Sequence, residues 1–330
     1  METDKQMSAE NFGLLSIVVP VYNEQDNLVA FSESLLNVLQ QENYDYEIIF
    51  VNDGSVDRSS ELLDSLASDN QRCKVVHFRR NFGQTAALMA GMDFSSGDVI
   101  IPIDADMQND PADIPRLLEK LAEGYDLVSG WRKDRQDARL TRNFPSWVAN
   151  KLISKISGVK LSDYGCTLKA YRRSIIADVK LYGEMHRFLP IYASWAGART
   201  VEIPVNHNPR MAGESKYGLE RVLKVPLDLM VVKFLSSYSQ KPIYVFGGFG
   251  LLNHFLALVT FGVMIYFKFW GGKSFIATPL PLLAALFILM GVISMLMGLI
   301  AELTVRTYHE SQDKSTYTVR ELVNISDKTH

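Results

Sequence analysis

The sequence predicts an α/β protein built on an open, mostly parallel, Rossmann-like sheet flanked by helices, with a helical hairpin towards its C terminus. Three observations carry that expectation. Short apolar runs rich in Val, Ile and Phe alternate with amphipathic helical patterns from about residue 14 to residue 130. Each run breaks off in a polar turn containing Asp, Asn or Gly. Two long stretches, 242–267 and 274–301, contain no Asp, Glu, Lys or Arg.

The first strand is Leu14–Pro20, which runs into Val21-Tyr22-Asn23-Glu24 and then into a helix carrying Leu28, Phe31, Leu35, Leu36, Val38 and Leu39. Tyr46–Val51 repeats the pattern, followed by Asn52-Asp53-Gly54-Ser55-Val56-Asp57 and a helix near Ser59–Ser68, for which Asp57 or Ser59 is the expected N-cap. A third strand, Lys74–Phe78, leads through Arg79-Arg80-Asn81-Phe82-Gly83-Gln84 to a helix over Ala86–Met92. The fourth, Val99–Ile103, ends in Asp104-Ala105-Asp106, with Gln108 close behind. In doubly wound sheets such turns converge at the carboxyl ends of the strands, where ligands bind. Oxygen ligands in that position suit a hard divalent cation, Mg²⁺ or Mn²⁺, that also touches substrate phosphates. A D-x-D triplet alone is short and common; its position among converging turns gives it weight. Neither the G-x-G-x-x-G fingerprint nor a P-loop occurs, so bound phosphates must be met by carboxylates with a metal.

Composition narrows the function classes. The 330 residues carry a net charge of −3, which gives no reason to expect nucleic acid as a partner. Two cysteines, Cys73 and Cys166, suggest no disulfide framework and fit a reducing cytoplasm. The polar start, Met1–Gly13, does not read as a signal peptide. The uncharged stretches exceed the roughly 20 helical residues that cross a hydrocarbon core, and Lys241, Tyr244, Tyr266, Lys268 and Trp270 edge them.

Pro20-Val21-Tyr22-Asn23-Glu24, Asn52-Asp53-Gly54-Ser55, Arg80-Asn81-Phe82-Gly83 and Asp104-Ala105-Asp106-Met107-Gln108 resemble, in that order, the family 2 glycosyltransferases of GT-A fold. The resemblance is narrower to the enzymes that use a polyprenyl phosphate acceptor. It continues through Asp163-Tyr164-Gly165-Cys166 and Arg210–Tyr217 and covers nearly the whole chain. It implies that Asp53 holds a nucleobase and that Pro20, Tyr22 and Glu24 pack around base and ribose. It also implies a metal on Asp106 and Gln108, with Asp104 beside or in the ligand set. Arg80, Gly83, Asp104, Ala105, Arg210 and Lys216 complete the expected donor contacts. The donor is then a nucleotide sugar, UDP- or GDP-linked, and the second substrate a polyprenyl phosphate, most closely the undecaprenyl kind.

The basic group Arg132, Lys133, Arg135, Arg139 and Arg142 is an expected anion site, because arginine's planar fork matches phosphate oxygens. Arg132 and Arg135, with Ser215 and Lys216, are the residues chosen for the acceptor phosphate. Asp163 is the candidate base suggested by the resemblance, and Glu184 is its rival. A lipid phosphate is already an anion near neutral pH, so a strong base is not required. The expected catalytic set is Asp104, Asp106, Asp163 and Arg132, acting by direct in-line attack with inversion.

The expected organisation is a catalytic domain over 1–218, an interfacial amphipathic region over 219–241, spans over 242–267 and 278–301 joined by the loop 268–277, and a tail over 302–330. Pro145–Gly158 also reads as amphipathic, packing on the core or dipping into lipid headgroups. Tyr317–Val323 alternates like a short strand. Two spans put the catalytic domain and both termini on the cytoplasmic side of the inner (plasma) membrane. Gly247, Gly248, Gly250, Gly291 and Gly298 would let helices of neighbouring subunits pack closely in a homo-oligomer, and His254 is read as a helix or subunit contact. A processive polysaccharide synthase is an alternative that lacks its Q-x-x-R-W motif here, and a non-catalytic membrane scaffold is another.

Overall fold

The computed structural model describes residues 12–133, 153–154, 157–177, 179, 185–208, 243–272, 274–311 and 317–325. The chain divides into two compact units, one formed by Met1–Leu229 with Ser315–His330 and the other by Met230–Lys314.

In the first unit the chain runs β1 (Leu15–Val21), α1 (Leu28–Gln41), β2 (Tyr46–Asn52), α2 (Ser59–Asp69), β3 (Cys73–Phe78), α3 (Gln84–Asp93) and β4 (Val99–Pro102). A 3₁₀ turn at Pro111–Asp113 leads to α4 (Ile114–Ala122) and β5 (Leu127–Trp131). Then come β6 (Lys169–Arg172), α5 (Arg173–Ile176), a 3₁₀ turn at Met185–Phe188, α6 (Leu189–Trp195) and β7 (Thr200–Pro204). The second unit holds α7 (Ile243–Phe269) and α8 (Leu280–Ser311), after which β8 (Val319–Val323) belongs to the first unit again.

All eight strands form one sheet in the order β7-β5-β6-β4-β1-β2-β3-β8. β1 pairs in parallel with β2 and with β4, so the strand order reverses between β1 and β4. A ligand crevice is expected at such a switch point. β6 and β8 run antiparallel to their neighbours, so the sheet as a whole is mixed, whereas β2, β1 and β4 at the switch point are parallel. β6 had no counterpart in the sequence reading: Lys169-Ala170-Tyr171-Arg172 is short and half polar, and its strand geometry comes from pairing with β4 and β5.

The strands are apolar on both faces because helices cover both. Leu28, Phe31, Leu35 and Leu39 of α1, Leu63 and Ala67 of α2, and Leu117, Leu118 and Leu121 of α4 bury one face with Ile17, Val19 and Ile48. Across the sheet, α3 packs with Val18, Ile49 and Val76, joined by Ile176 of α5, Leu189 and Ala193 of α6, and Tyr317. The α3 stretch Thr85–Met92 is buried on all sides, which explains its uniformly apolar sequence. Arg58, rather than Asp57 or Ser59, occupies the N-cap of α2; the Asp57 carboxylate nonetheless accepts the Ser59 amide at 3.0 Å.

A buried polar staple closes the strand ends opposite the crevice. Glu47 on β2 accepts Ser16 Oγ at 2.6 Å, the Ser96 amide at 2.5 Å and Lys74 Nζ at 2.5 Å. Burial opposes its charge, but the hydrogen bond from Lys74 and those from Ser16 and Ser96 hold the carboxyl below its ordinary range. This stability is therefore present above the ordinary carboxylate range and disappears as pH falls through the folded value. Glu47→Ala strands Lys74 and the Ser96 amide. We expect a loss of about 3 kcal/mol, read as a lower thermal midpoint in detergent.

In the second unit, two helices are long and apolar enough to cross a membrane, over Phe246–Phe269 and Leu280–Ala301. α8 continues past Ala301 to Ser311, so the expected tail begins as helix. Gly250 and Gly291 face each other: a Cβ on Gly250 would sit 2.9 Å from the Gly291 carbonyl oxygen, and one on Gly291 would collide with the His254 ring. Close packing at these two glycines thus lies within the hairpin of one chain, whereas around Gly248 the space is open. His254 hydrogen-bonds the Gly250 carbonyl one turn back in its own helix at 2.9 Å, and its ring lies against Gly291 of α8. The segment 219–241 and the boundary at 218 lie outside the described residues, as does most of Pro145–Gly158. Of that stretch, Ile153 is buried and Ser154 Oγ donates to the Leu161 carbonyl at 3.0 Å.

Candidate active site

The turns after β1 and β2 are stitched into one wall. The Asn23 amide donates to Ser55 Oγ at 3.0 Å, and the Val56 amide returns a bond to Asn23 Oδ1 at 2.9 Å. Glu24 and Gln25 amides donate to Ser59 Oγ and Asp57 Oδ2, at 3.0 and 3.2 Å. Asn23 takes a positive φ of 53° to make this turn, and the Glu24 carboxylate accepts Asn27 Nδ2 at 2.8 Å. Pro20 still belongs to β1, paired with Val51.

Asp53 ties that wall to the next turn. Its two oxygens accept the Phe82 and Gly83 amides at 2.6 and 3.0 Å. Burial raises its pKa, and the two amides work against that rise. Gly83 (φ 94°) is the N-cap of α3, and the Arg80 guanidinium lies 4.2 Å from the Phe82 ring centroid. Gly54 (φ 66°) passes so close to the backbone of Arg80 and Asn81 that a Cβ there would overlap them. Gly54→Ala is thus expected to push the 80–83 turn off Asp53 and weaken nucleotide binding about tenfold or more, measurable by calorimetry with UDP and Mn²⁺.

Asp104 and Asp106 lie at the rim beyond β4. Asp104 accepts Gln84 Nε2 at 2.9 Å on one oxygen and Thr167 Oγ1 at 2.6 Å on the other. Burial and then the neighbouring Asp106 carboxylate push Asp104 up to about 6. Asp106 accepts the Gln108 amide at 3.2 Å across Met107, whose φ of 61° makes the turn. The Gln108 carbonyl accepts the Asn208 amide at 3.0 Å, and Ala105 is buried beneath the pair.

Two mutually repelling carboxylates in one turn, Asp106 buried and Asp104 half-buried, fit a divalent cation. Among the described residues no group of three or more His, Cys, Asp or Glu side chains forms a metal cage. A cation here would therefore take ligands from Asp106, with Asp104 and Gln108 beside it, and the rest from water and substrate phosphate oxygens. Mg²⁺ and Mn²⁺ tolerate such sharing.

Arg132, just past β5, forms a two-pronged pair with Asp163: Nε to Oδ2 at 2.7 Å and Nη2 to Oδ1 at 3.0 Å. The Gly165 amide donates to Asp163 Oδ1 at 3.0 Å, and Glu202 fixes the Asp163 backbone amide at 3.0 Å. Both partners are nearly buried. Burial alone would favour a neutral guanidinium, but the Asp163 carboxylate holds it firmly charged. The two residues chosen separately as base and anion binder are thus one unit. Beneath it, the buried Lys169 donates to the Tyr164 carbonyl at 3.5 Å and to the Cys166 carbonyl. Burial pushes the Cys166 thiol up to about 11, which removes it as a nucleophile.

Asp53, Asp104, Asp106, Gln108, Arg132 and Asp163 are therefore assembled along one rim with Pro20, Tyr22, Glu24, Arg80, Gly83 and Ala105. Arg135, Glu184, Arg210, Ser215 and Lys216 lie outside the described residues. Gln84 and Thr167, the two donors that hold Asp104, were not singled out from sequence. Gln84 carries a weak signal, as the first residue of a helix opening at the rim. Thr167 carries none, because its partner is 63 residues away in the chain.

The glycosyl transferase family 2 model matches residues 16–180. Dodecaprenyl-phosphate galacturonate synthase of Rhizobium johnstonii is 39% identical over 314 residues, spanning 93% of this chain and 92% of its own. Undecaprenyl-phosphate 4-deoxy-4-formamido-L-arabinose transferase of Edwardsiella ictaluri is 38% identical over 311 residues, spanning 94% of each. Among solved structures, Mycobacterium tuberculosis glucosyl-3-phosphoglycerate synthase with Mn²⁺, UDP and phosphoglyceric acid aligns at a TM-score of 0.55 and 16% identity, covering 72% of this chain and 82% of that one. That likeness bears on the fold alone. The chain belongs to glycosyl transferase family 2, has the GT-A-type architecture expected of it, and is a glycosyltransferase.

Proposed function

We propose that this enzyme transfers a sugar from a nucleotide donor to a polyprenyl phosphate, most closely undecaprenyl phosphate, at the cytoplasmic face of the inner membrane. The product is a lipid-linked sugar for modification of the cell envelope. The carrying observation is the single rim on which Asp53, the Asp104–Asp106 pair and Arg132 converge. Relatives named for dodecaprenyl and undecaprenyl phosphate, similar over nearly their full length, support the acceptor class.

Asp53 orders the turn against which the base rests, and the wall of Tyr22 and Glu24 borders the ribose. Asp104, held by Gln84 and Thr167, and Asp106 face the diphosphate. Bound there, Mg²⁺ or Mn²⁺ would neutralise the diphosphate as it leaves. Arg132, whose Nε–Nη2 edge is held by Asp163, turns the other edge of its guanidinium to the incoming lipid phosphate and reduces repulsion between the two anions. That phosphate is already charged, so attack at the anomeric carbon needs no deprotonation, and one displacement inverts the centre. Arg135, Arg210, Ser215 and Lys216 are assigned to further phosphate contacts.

The first unit draws strands from both sides of the apolar hairpin, since β8 follows α8 and pairs with β3. An even number of crossings returns the chain to the side it left, which supports two spans with both termini cytoplasmic. A homo-oligomer is part of the reading, with the open surface at Gly248 as its contact.

The test is transfer of radiolabel from a panel of UDP- and GDP-sugars into an organic-extractable product. Product should require both undecaprenyl phosphate and Mg²⁺ or Mn²⁺, and chelation should abolish it. Sugar release without the lipid, or labelled product insensitive to chelation, would refute the reading.

A further inference from the structure

We propose that β8 and the residues just before it position the donor turn, with Tyr317 as the positioning residue, so that nucleotide affinity depends on a strand encoded after the membrane hairpin. The inference rests on the reading that Asp53 and residues 79–83 face the donor.

Without β8, β3 would be the sheet's edge. β8 covers it antiparallel, pairing Val75 with Val323, Val76 with Leu322, His77 with Glu321 and Phe78 with Val319. The register slips between His77 and Phe78, where β3 gives way to the donor turn. Pairing continues beyond that slip: the Arg79 amide donates to the Thr318 carbonyl at 3.1 Å. The first backbone group of the turn is thus held by the C-terminal segment.

Side chains carry the link inward. The buried Tyr317 ring stacks on Phe78 at 5.1 Å and 16°, and Phe78 meets Phe82 edge-on at 5.6 Å and 86°. Phe82 then donates its amide to Asp53. A row of three rings therefore runs from the C-terminal segment to the carboxylate at the base site. Tyr317 Oη also donates to Asp93 Oδ2 at 2.9 Å, at the end of α3, whose first residue Gln84 holds Asp104. At the far end of β8, Asn324 Nδ2 donates to the Ala67 and Cys73 carbonyls at 2.6 and 2.9 Å, which fixes the strand lengthwise. The pairings of β8 and Thr318 run to β3 and the start of the donor turn, so their effect is assigned to binding rather than to chemistry. The donor turn is complete only once the chain has passed the hairpin and returned.

The experiment uses the full chain in detergent with Tyr317→Ala and Tyr317→Phe. Two readouts are taken: UDP binding with Mn²⁺ by calorimetry, and amide exchange of the Phe82–Gly83 segment. Tyr317→Ala should weaken UDP about tenfold and speed exchange at Phe82 and Gly83, with the KM for undecaprenyl phosphate unchanged. Tyr317→Phe keeps the stack and should stay within about threefold of the parent. Should Tyr317→Ala not fold, Tyr317→Leu replaces it with the same expected direction. Parent-like UDP affinity, or donor and lipid KM values rising together, would overturn the proposal. Asp53→Asn separates the two layers. If it weakens UDP and Tyr317→Ala does not, only this inference fails; if it leaves UDP binding intact, the donor-site reading fails and this inference with it.

Discussion

Asp106→Ala is expected to lower turnover by about a thousandfold or more, while the protein melts within a few degrees of the parent. The size follows from what the side chain faces. Departure of a nucleoside diphosphate develops negative charge that the described residues around Asp104 and Asp106 cannot offset with carboxylates alone. Asp104 and Asp106 share one turn at the rim, so Asp106→Ala would take a full carboxylate away from a cation held there. Stability should change little because two effects oppose each other. Alanine removes the acceptor of the Gln108 amide, a 3.2 Å bond, but also removes a like charge beside Asp104. Kinetics across a Mn²⁺ titration, with melting curves, check both parts. Wild-type turnover in Asp106→Ala, or a loss that disappears when the protein is refolded, would remove Asp106 from the chemistry.

Much of this rim was legible because its parts sit at predictable places. Strands buried on both faces read as apolar runs, and their terminal turns must meet at one edge, so Asp53 and Asp104-Ala105-Asp106 could be brought together from sequence alone. What sequence could not supply was the use made of each side chain. Asp53 read as a base contact, yet its oxygens are also the anchor of the Phe82–Gly83 turn. Local pattern carries no trace of that, because the partners lie 29 and 30 residues apart. β6 escaped for a related reason, and so did the partner of β8. Lys169–Arg172 and Val319–Val323 are strands because of their neighbours, β4 and β5 for one and β3 for the other. Alternation at Tyr317–Val323 suggested a strand but not the edge it would cover. The pairing of Arg132 with Asp163 was equally hidden: each drew attention singly, and only the turn through Gly165 brings them to 2.7 Å.

That pairing changes what to expect of the two residues, and the second large effect is Arg132→Ala. We expect turnover to fall by about a hundredfold or more, against about tenfold for Asp163→Asn. Asp163 is poorly arranged as a base. Its oxygens accept Arg132 Nε, Arg132 Nη2 and the Gly165 amide, so both are already directed at protein donors. Its geometry instead aims the Arg132 fork, which approaches a phosphate productively in few orientations. Asparagine keeps one oxygen for Arg132 Nη2 and the Gly165 amide but turns an NH2 towards Arg132 Nε, so one prong of the aim is lost and one survives. Two measurements separate orientation from proton transfer. In the double variant Arg132→Ala/Asp163→Asn, the loss should be no greater than for Arg132→Ala alone, since a positioning residue has nothing left to position. The acidic limb of the turnover–pH profile should also persist in Asp163→Asn. If Asp163→Asn instead matched Asp106→Ala in severity and flattened that limb while UDP still bound, a proton would be leaving the acceptor through Asp163, and the anionic-acceptor mechanism would be wrong.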